Sequence, residues 1–378
     1  MAVMSEHIKF FVGPRDVLAQ ELYNPLDDLE AAIVDFIDGA ERSLDIAIQE
    51  IDSIAIADAI IRAAKRTYVN DSGKTRRLRV RVVGEADYLS VDEPAEDPHI
   101  SEMDEKHEIN RLLHAALLRA KVWVRTDFNP RIFHQKFIVR DNDSVLTGST
   151  NFTHTGTHRN LNHILIVENE EFAKIFAVEF DEISKGHFGK YNVNTSDVPR
   201  EVVVDDIRLK VCFAPDHAPE MEVVKQMTKA KERIDFAIFT FSKSSGIDDA
   251  MLLCMDAGRR VRGALERKQG GQDWAATVPL KQAGAELYFV HPTESIGKLH
   301  HKLMVIDDSV IVLGSFNYTG SANKFNDENI VVLGDHTNPS DNQLQFAKAA
   351  RAEIDRIIVD HGRVVEVYER DDGSLRAR

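Results

Sequence analysis

The sequence predicts an α/β protein made of two similar α/β(α) sandwich halves related by a pseudo-twofold axis. Three observations carry this. Residues 134–151 (HQKFIVRDNDSVLTGSTN) and 300–317 (HHKLMVIDDSVIVLGSFN) share one pattern, H-x-K-x4-D and, six residues later, G-S-x-N. His134, Lys136, Asp141, Gly148 and Asn151 each stand 166 residues before His300, Lys302, Asp307, Gly314 and Asn317, and a constant offset at five positions marks an internal duplication. Around each copy, short apolar runs of strand length alternate with segments of helical periodicity, in a chain of 378 residues that exceeds one typical core.

Taken in order, Ile8 to Val12 reads as a strand and Pro25 to Ala40 as a helix, with Leu29, Ile33, Phe36 and Ile37 at helical spacing. A strand Ser43 to Ile48, a helix Ile54 to Arg66 and a strand Leu78 to Gly84 follow. Glu85 to Glu108 breaks the alternation with ten acidic residues and two prolines in 24 positions. It reads as a solvated surface insert, with a lid near the active site as the sharper alternative. A helix Ile109 to Arg119 and a strand Lys121 to Arg125 lead into the first motif; a strand Ile164 to Val167 and a helix Glu171 to Ser184 follow it. The polar stretch Gly186 to Asp206 is the candidate junction, giving a first half at 1–190 (insert 85–108) and a second at 207–362. In the second half VCFAP echoes FFVGP, RIDFAIF echoes SLDIAIQ, and VRGAL echoes VRVVG. A helix through Leu252 to Arg259 and a strand Ala285 to Val290 complete it; 363–378 is a charged tail, and Tyr368 to Arg378 within it is expected to be frayed.

Composition narrows the function. Apolar content of 43% and charged content of 29% are ordinary for a globular protein. With 47 basic against 62 acidic residues the net charge is −15, which argues against coating nucleic acid or anionic membrane by bulk charge but not against a local basic cleft. Cys212 and Cys254 fall in core-like segments and read as buried free thiols. No signal-peptide pattern opens the sequence and no apolar run reaches membrane-spanning length, so the expected compartment is the cytoplasm.

The motifs carry the chemistry. Strand parity puts His134 and Lys136 on one face, and likewise His300 and Lys302, Ser149 and Asn151, and Ser315 and Asn317. Gly148 and Gly314 would let the backbone approach a ligand. Doubled about a twofold, this kit is a cationic pocket rich in donors with no acidic metal cage, suited to a phosphodiester. One histidine can attack phosphorus while the other protonates the leaving oxygen, and the lysines and asparagines stabilise charge on the equatorial oxygens.

These residues resemble the phospholipase D superfamily, whose defining motif is H-x-K-x4-D with a downstream G-S-x-N. The resemblance covers both halves. It implies two packed α/β halves with the motifs meeting between them, and a metal-independent mechanism through a covalent phosphohistidine, without cofactor. It also implies that one chain suffices for a complete site and that Asp141 and Asp307 anchor local structure. After G-S-x-N, lipid-acting members look like N-x-D-x-R-S; NFTHTGTHRN and NYTGSANKFNDEN lack that Asp and Arg-Ser, and GSFNYTGSANKFNDENIVVL looks like the small endonucleases. The substrate is therefore expected to be DNA or RNA, with no stable membrane association. A phospholipase or phosphatidyl transferase, and a non-catalytic nucleic-acid-binding module, are the alternatives.

One departure breaks the symmetry. Glu328 fills a position acidic in many members, whereas the 166 offset places Asn162 in the first half. A carboxylate stabilises an imidazolium and an amide does so weakly. By similarity to the tyrosyl-DNA phosphodiesterases, His134 is the expected nucleophile and His300 the general acid and later base. Which histidine Glu328 orients is open from the sequence. His301 faces away by parity and reads as packing; His154, His158 and His163 lack the further ligands of a zinc site. Phe133, Phe152, Phe316, Tyr318 and Phe325 are candidates for base stacking, and Arg131, Arg159, Lys298 and Lys324 for guiding phosphate.

Overall fold

The computed structural model describes residues 3–14, 28–89, 107–192 and 198–378. Most of the acidic insert, 90–106, lies outside them. Each half is a mixed sheet. In the first, the strands run in the order Val3–Met4, Ile8–Gly13, Asn160–Glu168, Ser144–Gly148, Lys136–Arg140, Ser43–Ile48, Arg79–Gly84 and Trp123–Thr126. In the second they run Glu201–Val204, Ile207–Ala214, Glu328–Leu333, Val310–Gly314, Lys302–Ile306, Arg233–Ile238, Arg260–Glu266, Glu286–Val290 and Gly362–Val364. The first eight strands match one for one, with Gly362–Val364 added at the edge of the second sheet, so the duplication in the sequence is a duplication of topology.

Apolar residues decide how the sheets stack. One continuous core holds Phe137, Val139, Phe176 and Phe180 of the first half together with Leu303, Val305, Ile354 and Ile357 of the second. Two helices supply its middle. Glu170–Ser184 is capped by Asn169, whose side chain accepts from Phe172 N, and carries Phe172, Phe176 and Phe180 one turn apart. Asp341–His361 is capped the same way by Ser340. Separate cores lie on the outer faces, around Ile33, Ile60 and Leu117 in one half and Val223, Met251 and Leu280 in the other. The helices of the first outer layer are Leu29–Asp38, Ile54–Lys65 and Glu108–Arg119. The shared inner core makes the halves one body rather than two beads.

The segment 363–378 is not frayed. Val367–Glu369 pairs with Leu375–Ala377, Val365 and Ala377 are buried in the second outer core, and Gly362–Val364 extends the second sheet. Helical periodicity was not needed here: the hairpin turns through Asp371–Gly373, and Gly373 takes a positive φ of 79°.

Candidate active site

Two crossovers knit the halves together where the motifs begin. The residues before the first motif strand bridge to the second half in parallel at Phe133 and Asp327, and His134 N donates to Asp327 O at 2.9 Å. The second motif repeats this. Lys298–Leu299 pairs with Asn160 and Leu161, and His300 N donates to Leu161 O at 2.9 Å. Each histidine is thereby delivered to the residue after the opposite half's motif. His134 Nδ1 lies 2.6 Å from Glu328 Oε2, and His300 Nδ1 lies 2.9 Å from Asn162 Oδ1. Glu328 thus orients the opposite half's histidine, which the sequence left open.

The tautomers follow from the partners. Asn162 Nδ2 donates to Gly156 O at 2.8 Å, which turns its Oδ1 toward His300, so His300 Nδ1 is the donor. Burial pushes the Glu328 carboxyl up to about 8, against Lys136, Ser315 and Asn326, and burial also drives the His134 imidazolium well below its usual pKa. The 2.6 Å contact requires one proton between His134 Nδ1 and Glu328 Oε2. Both Nε2 atoms are left free of these bonds.

The remaining motif residues fall into two groups. Lys136 Nζ donates to His134 O (2.8 Å) and Gln49 Oε1 (3.0 Å), and Lys302 Nζ donates to His300 O (2.9 Å). Burial pushes the Lys136 ammonium down to about 7, with Glu328 and Glu50 opposing it, and pushes Lys302 well below its usual value, with Lys136 adding to the effect. His300 feels the lysines and His134 as well. Two imidazoles and two crowded lysines in one pocket form a site whose positive charge an anion would restore. Asn151 and Asn317 stand beside it, each with a buried Oδ1 that has no protein partner among the described residues.

The serines, aspartates and glycines act behind this layer. Ser149 Oγ donates to Asn162 Oδ1 (2.8 Å) and Ser315 Oγ to Glu328 Oε2 (2.7 Å), so the hydroxyls brace the orienting residues and do not face the pocket. Asp141 accepts from the backbone N–H groups of Glu41, Arg42 and Ser43, all at 2.7 Å, and Asp307 from those of Lys231, Glu232 and Arg233. The glycines serve the backbone instead of a ligand. A Cβ at Gly148 would sit 2.3 Å from His163 O, and one at Gly314 would sit 2.3 Å from Asn329 O.

A family model described as "Cardiolipin synthase, PLD-like domain" matches residues 33–184 and 223–370, one copy per half. The chain belongs to the phospholipase D superfamily. The mitochondrial cardiolipin hydrolase of Xenopus tropicalis is 31% identical over 122 residues, 32% of this chain and 56% of that protein. The phospholipase D of Rickettsia prowazekii is 32% identical over 127 residues, 34% of this chain and 60% of that one. The chain thus spans a little over half the length of these curated relatives. The phosphatidylserine synthase of Haemophilus influenzae Rd KW20 covers 96% of this chain and 88% of its own, with a TM-score of 0.63 at 13% identity, a likeness of fold.

Within this phospholipase D fold the two walls of the pocket differ. On the first-half wall, Gln49 follows the strand Ser43–Ile48, binds Lys136 and donates to the Tyr88 hydroxyl at 3.4 Å; Glu50 accepts from Asn151 Nδ2 at 3.2 Å. On the second-half wall the equivalent positions are Phe239 and Thr240. The Phe239 ring lies 4.9 Å from that of His300, and Lys298 and Lys302 both sit 5.1 Å from its centroid. Gln49, Glu50 and Phe239 escaped the sequence reading. Their signal was the point where SLDIAI-QE and RIDFAI-FT part, at strand ends beside the motif strands.

Of the five aromatics proposed for stacking, Phe133, Phe152, Phe316 and Tyr318 are buried core residues. Phe325 alone is exposed, at 41%, with Arg131 5.5 Å above its ring. Lys298 reaches the pocket; Arg159 donates to Glu294 O at 3.0 Å on the matching rim. His154 and His158 stack at 4.6 Å on the surface, and no helix among the described residues is long and apolar enough to cross a membrane.

Proposed function

We propose that the protein is a metal-independent phosphodiesterase working through a phosphohistidine, with a nucleic acid as its substrate. The observation that supports the chemistry is the crosswise pairing of His134 with Glu328 and His300 with Asn162. His134 Nε2 attacks phosphorus, forming the N–P bond as the P–O bond to the leaving group breaks. Glu328 holds the proton at Nδ1 and so stabilises the cationic imidazole that results. His300, backed by an amide, acts as the imidazolium, the form a bound anionic diester favours; it keeps Nδ1–H on Asn162 and passes its Nε2–H to the leaving oxygen. Water then attacks phosphorus, giving its proton back to His300 Nε2, and His134 is released. Lys136, Lys302, Asn151 and Asn317 hold the non-bridging oxygens.

The substrate reading rests on the rims. In a chain of net charge −15, cations gather where the crossover strands border the pocket: exposed Arg131 over Phe325 on one side, exposed Arg159 and half-buried Lys298 on the other. A cation paired with an aromatic face suits a strand of phosphates and bases. Arg131 lies three residues from His134, so about 10 Å along an extended chain, within reach of a neighbouring nucleotide. A second reading, hydrolysis or transfer of a phospholipid headgroup, draws on the names of the relatives and of the matched family model.

Single- and double-stranded DNA, RNA, and vesicles of phosphatidylcholine or cardiolipin, each with and without EDTA, separate the readings. Nucleic-acid cleavage that survives EDTA and falls steeply with salt is expected. Lipid turnover without it would reverse the substrate assignment, and cleavage only with added metal would refute the mechanism. His134→Asn should abolish turnover and covalent labelling, whereas His300→Asn should accumulate the phosphoenzyme from a diester with a good leaving group.

A further inference from the structure

Behind the pocket the twofold is broken a second time, by buried groups for which the proposed chemistry has no use. His163 and His301 follow Asn162 and His300 in the chain, and strand parity turns them to the opposite face. Both are 0% exposed, their Nδ1 atoms are 3.0 Å apart, and their rings are nearly parallel, 8° between planes. Gly314 N donates to His163 Nε2 at 3.2 Å, and His301 Nε2 lies 3.2 Å from Glu353 Oε1, itself bound by Arg356.

The bonds admit one arrangement of protons. A backbone N–H can only donate, so His163 Nε2 is bare and its proton is on Nδ1. That proton goes to His301 Nδ1, whose own proton is then on Nε2 and goes to the Glu353 carboxylate. Gly314 belongs to the bracket that holds Glu328, and His163 to the one that holds Asn162. The chain therefore ties both histidine–orienter pairs to the long helix Asp341–His361. At the symmetry-related place the residues are amides: Asn329 Nδ2 donates to Gln135 Oε1 at 2.7 Å, and Thr147 donates to Asn329 Oδ1.

We propose that His163, His301 and Glu353 are positioning residues for the general acid, a directed hydrogen-bond chain that fixes His300 where its direct partner is only an amide. The first half needs no such backing, because Glu328 grips His134 with a carboxylate. The proposal rests on His300 being the acid. The groups facing the pair are each other, Glu353, Arg356 and Lys302, and burial pushes the pKa of both imidazoles down.

The molecule supplies its own control. In the double variant His163→Asn/His301→Gln, Gly314 N–H can donate to the Asn Oδ1, the Asn Nδ2 to the Gln Oε1, and the Gln Nε2 to Glu353, keeping the direction of the chain. The test compares kcat for an unactivated phosphodiester with kcat for bis(p-nitrophenyl) phosphate, whose leaving group needs no acid. His301→Leu should lose about 10- to 100-fold on the first and little on the second, and the double variant should recover most of the loss. Equal losses on both substrates, or no recovery in a double variant that melts like the wild type, would overturn the proposal. His300→Asn is the reference. If it shows no such leaving-group dependence, the assignment of His300 fails instead, and the two failures are told apart.

Discussion

A single carboxylate separates the two histidines. Glu328 and Asn162 occupy equivalent places, take the same serine hydroxyl from their own half and face the same Nδ1 of the opposite half. The chemical asymmetry of the site is therefore a difference of one functional group in otherwise matched geometry. Replacing Glu328 by Gln makes the halves alike. It should lower kcat by about 10²-fold or more with KM little changed, because the lost charge matters when the imidazole becomes cationic. A rise in KM with kcat unchanged would place Glu328 in substrate binding instead. Lys136 and Lys302 tell a related story: burial weakens their charge in the resting site, so a bound phosphate should raise it, and anion binding should be coupled to proton uptake.

At the scale of elements, the turn after each motif strand anchors the strand beside it. Asp141 and Asp307 take positive φ angles of 53° and 51° and each receives three backbone N–H groups from the segment leading into the neighbouring antiparallel strand. Asp141→Ala should cost about 1–3 kcal/mol of stability, read as a lower denaturant midpoint, with kcat intact below the melting temperature. The end of the strand Arg79–Gly84 carries a second sensitive point. Burial and the charge of Asp127 push the Glu85 carboxyl up to about 8. Its folded pKa lies above its unfolded value, so its contribution to stability is complete below pH about 4.5 and is lost as pH rises toward 8. Asp127→Asn should shrink the difference in melting temperature between pH 5 and pH 8. An unchanged difference would clear the pair of that role.

For the whole molecule, the halves depend on each other twice, through one apolar core and through orienting residues exchanged across it. Residues 1–198 and 199–378 made separately should each lack phosphodiesterase activity, and mixing them should restore it. Activity in an isolated first half, which has no Glu328, would contradict the crosswise site. The fold itself was legible from local pattern. The strands flanking each motif, the inner helix near Glu171 to Ser184 and the placement of His-Lys pairs follow from periodicity and from a repeat of 166 residues, whereas sheet order and the second inner helix, Asp341–His361, were not read from it. The terminal hairpin was missed because charged, short strands carry little periodicity and gain their stability from Val365 and Ala377 inserting into a core formed elsewhere.

The sequence by itself determined the duplication, the two sets of motif side chains and the one position where the copies disagree, because each is read from residues grouped in the motifs. Only the tertiary structure decided that Glu328 serves His134 rather than His300, that the serines brace instead of bind, and that His163 meets His301. The two histidine contacts join positions 194 and 138 residues apart, and partners so distant are chosen by how two sheets pack, which no local spacing encodes.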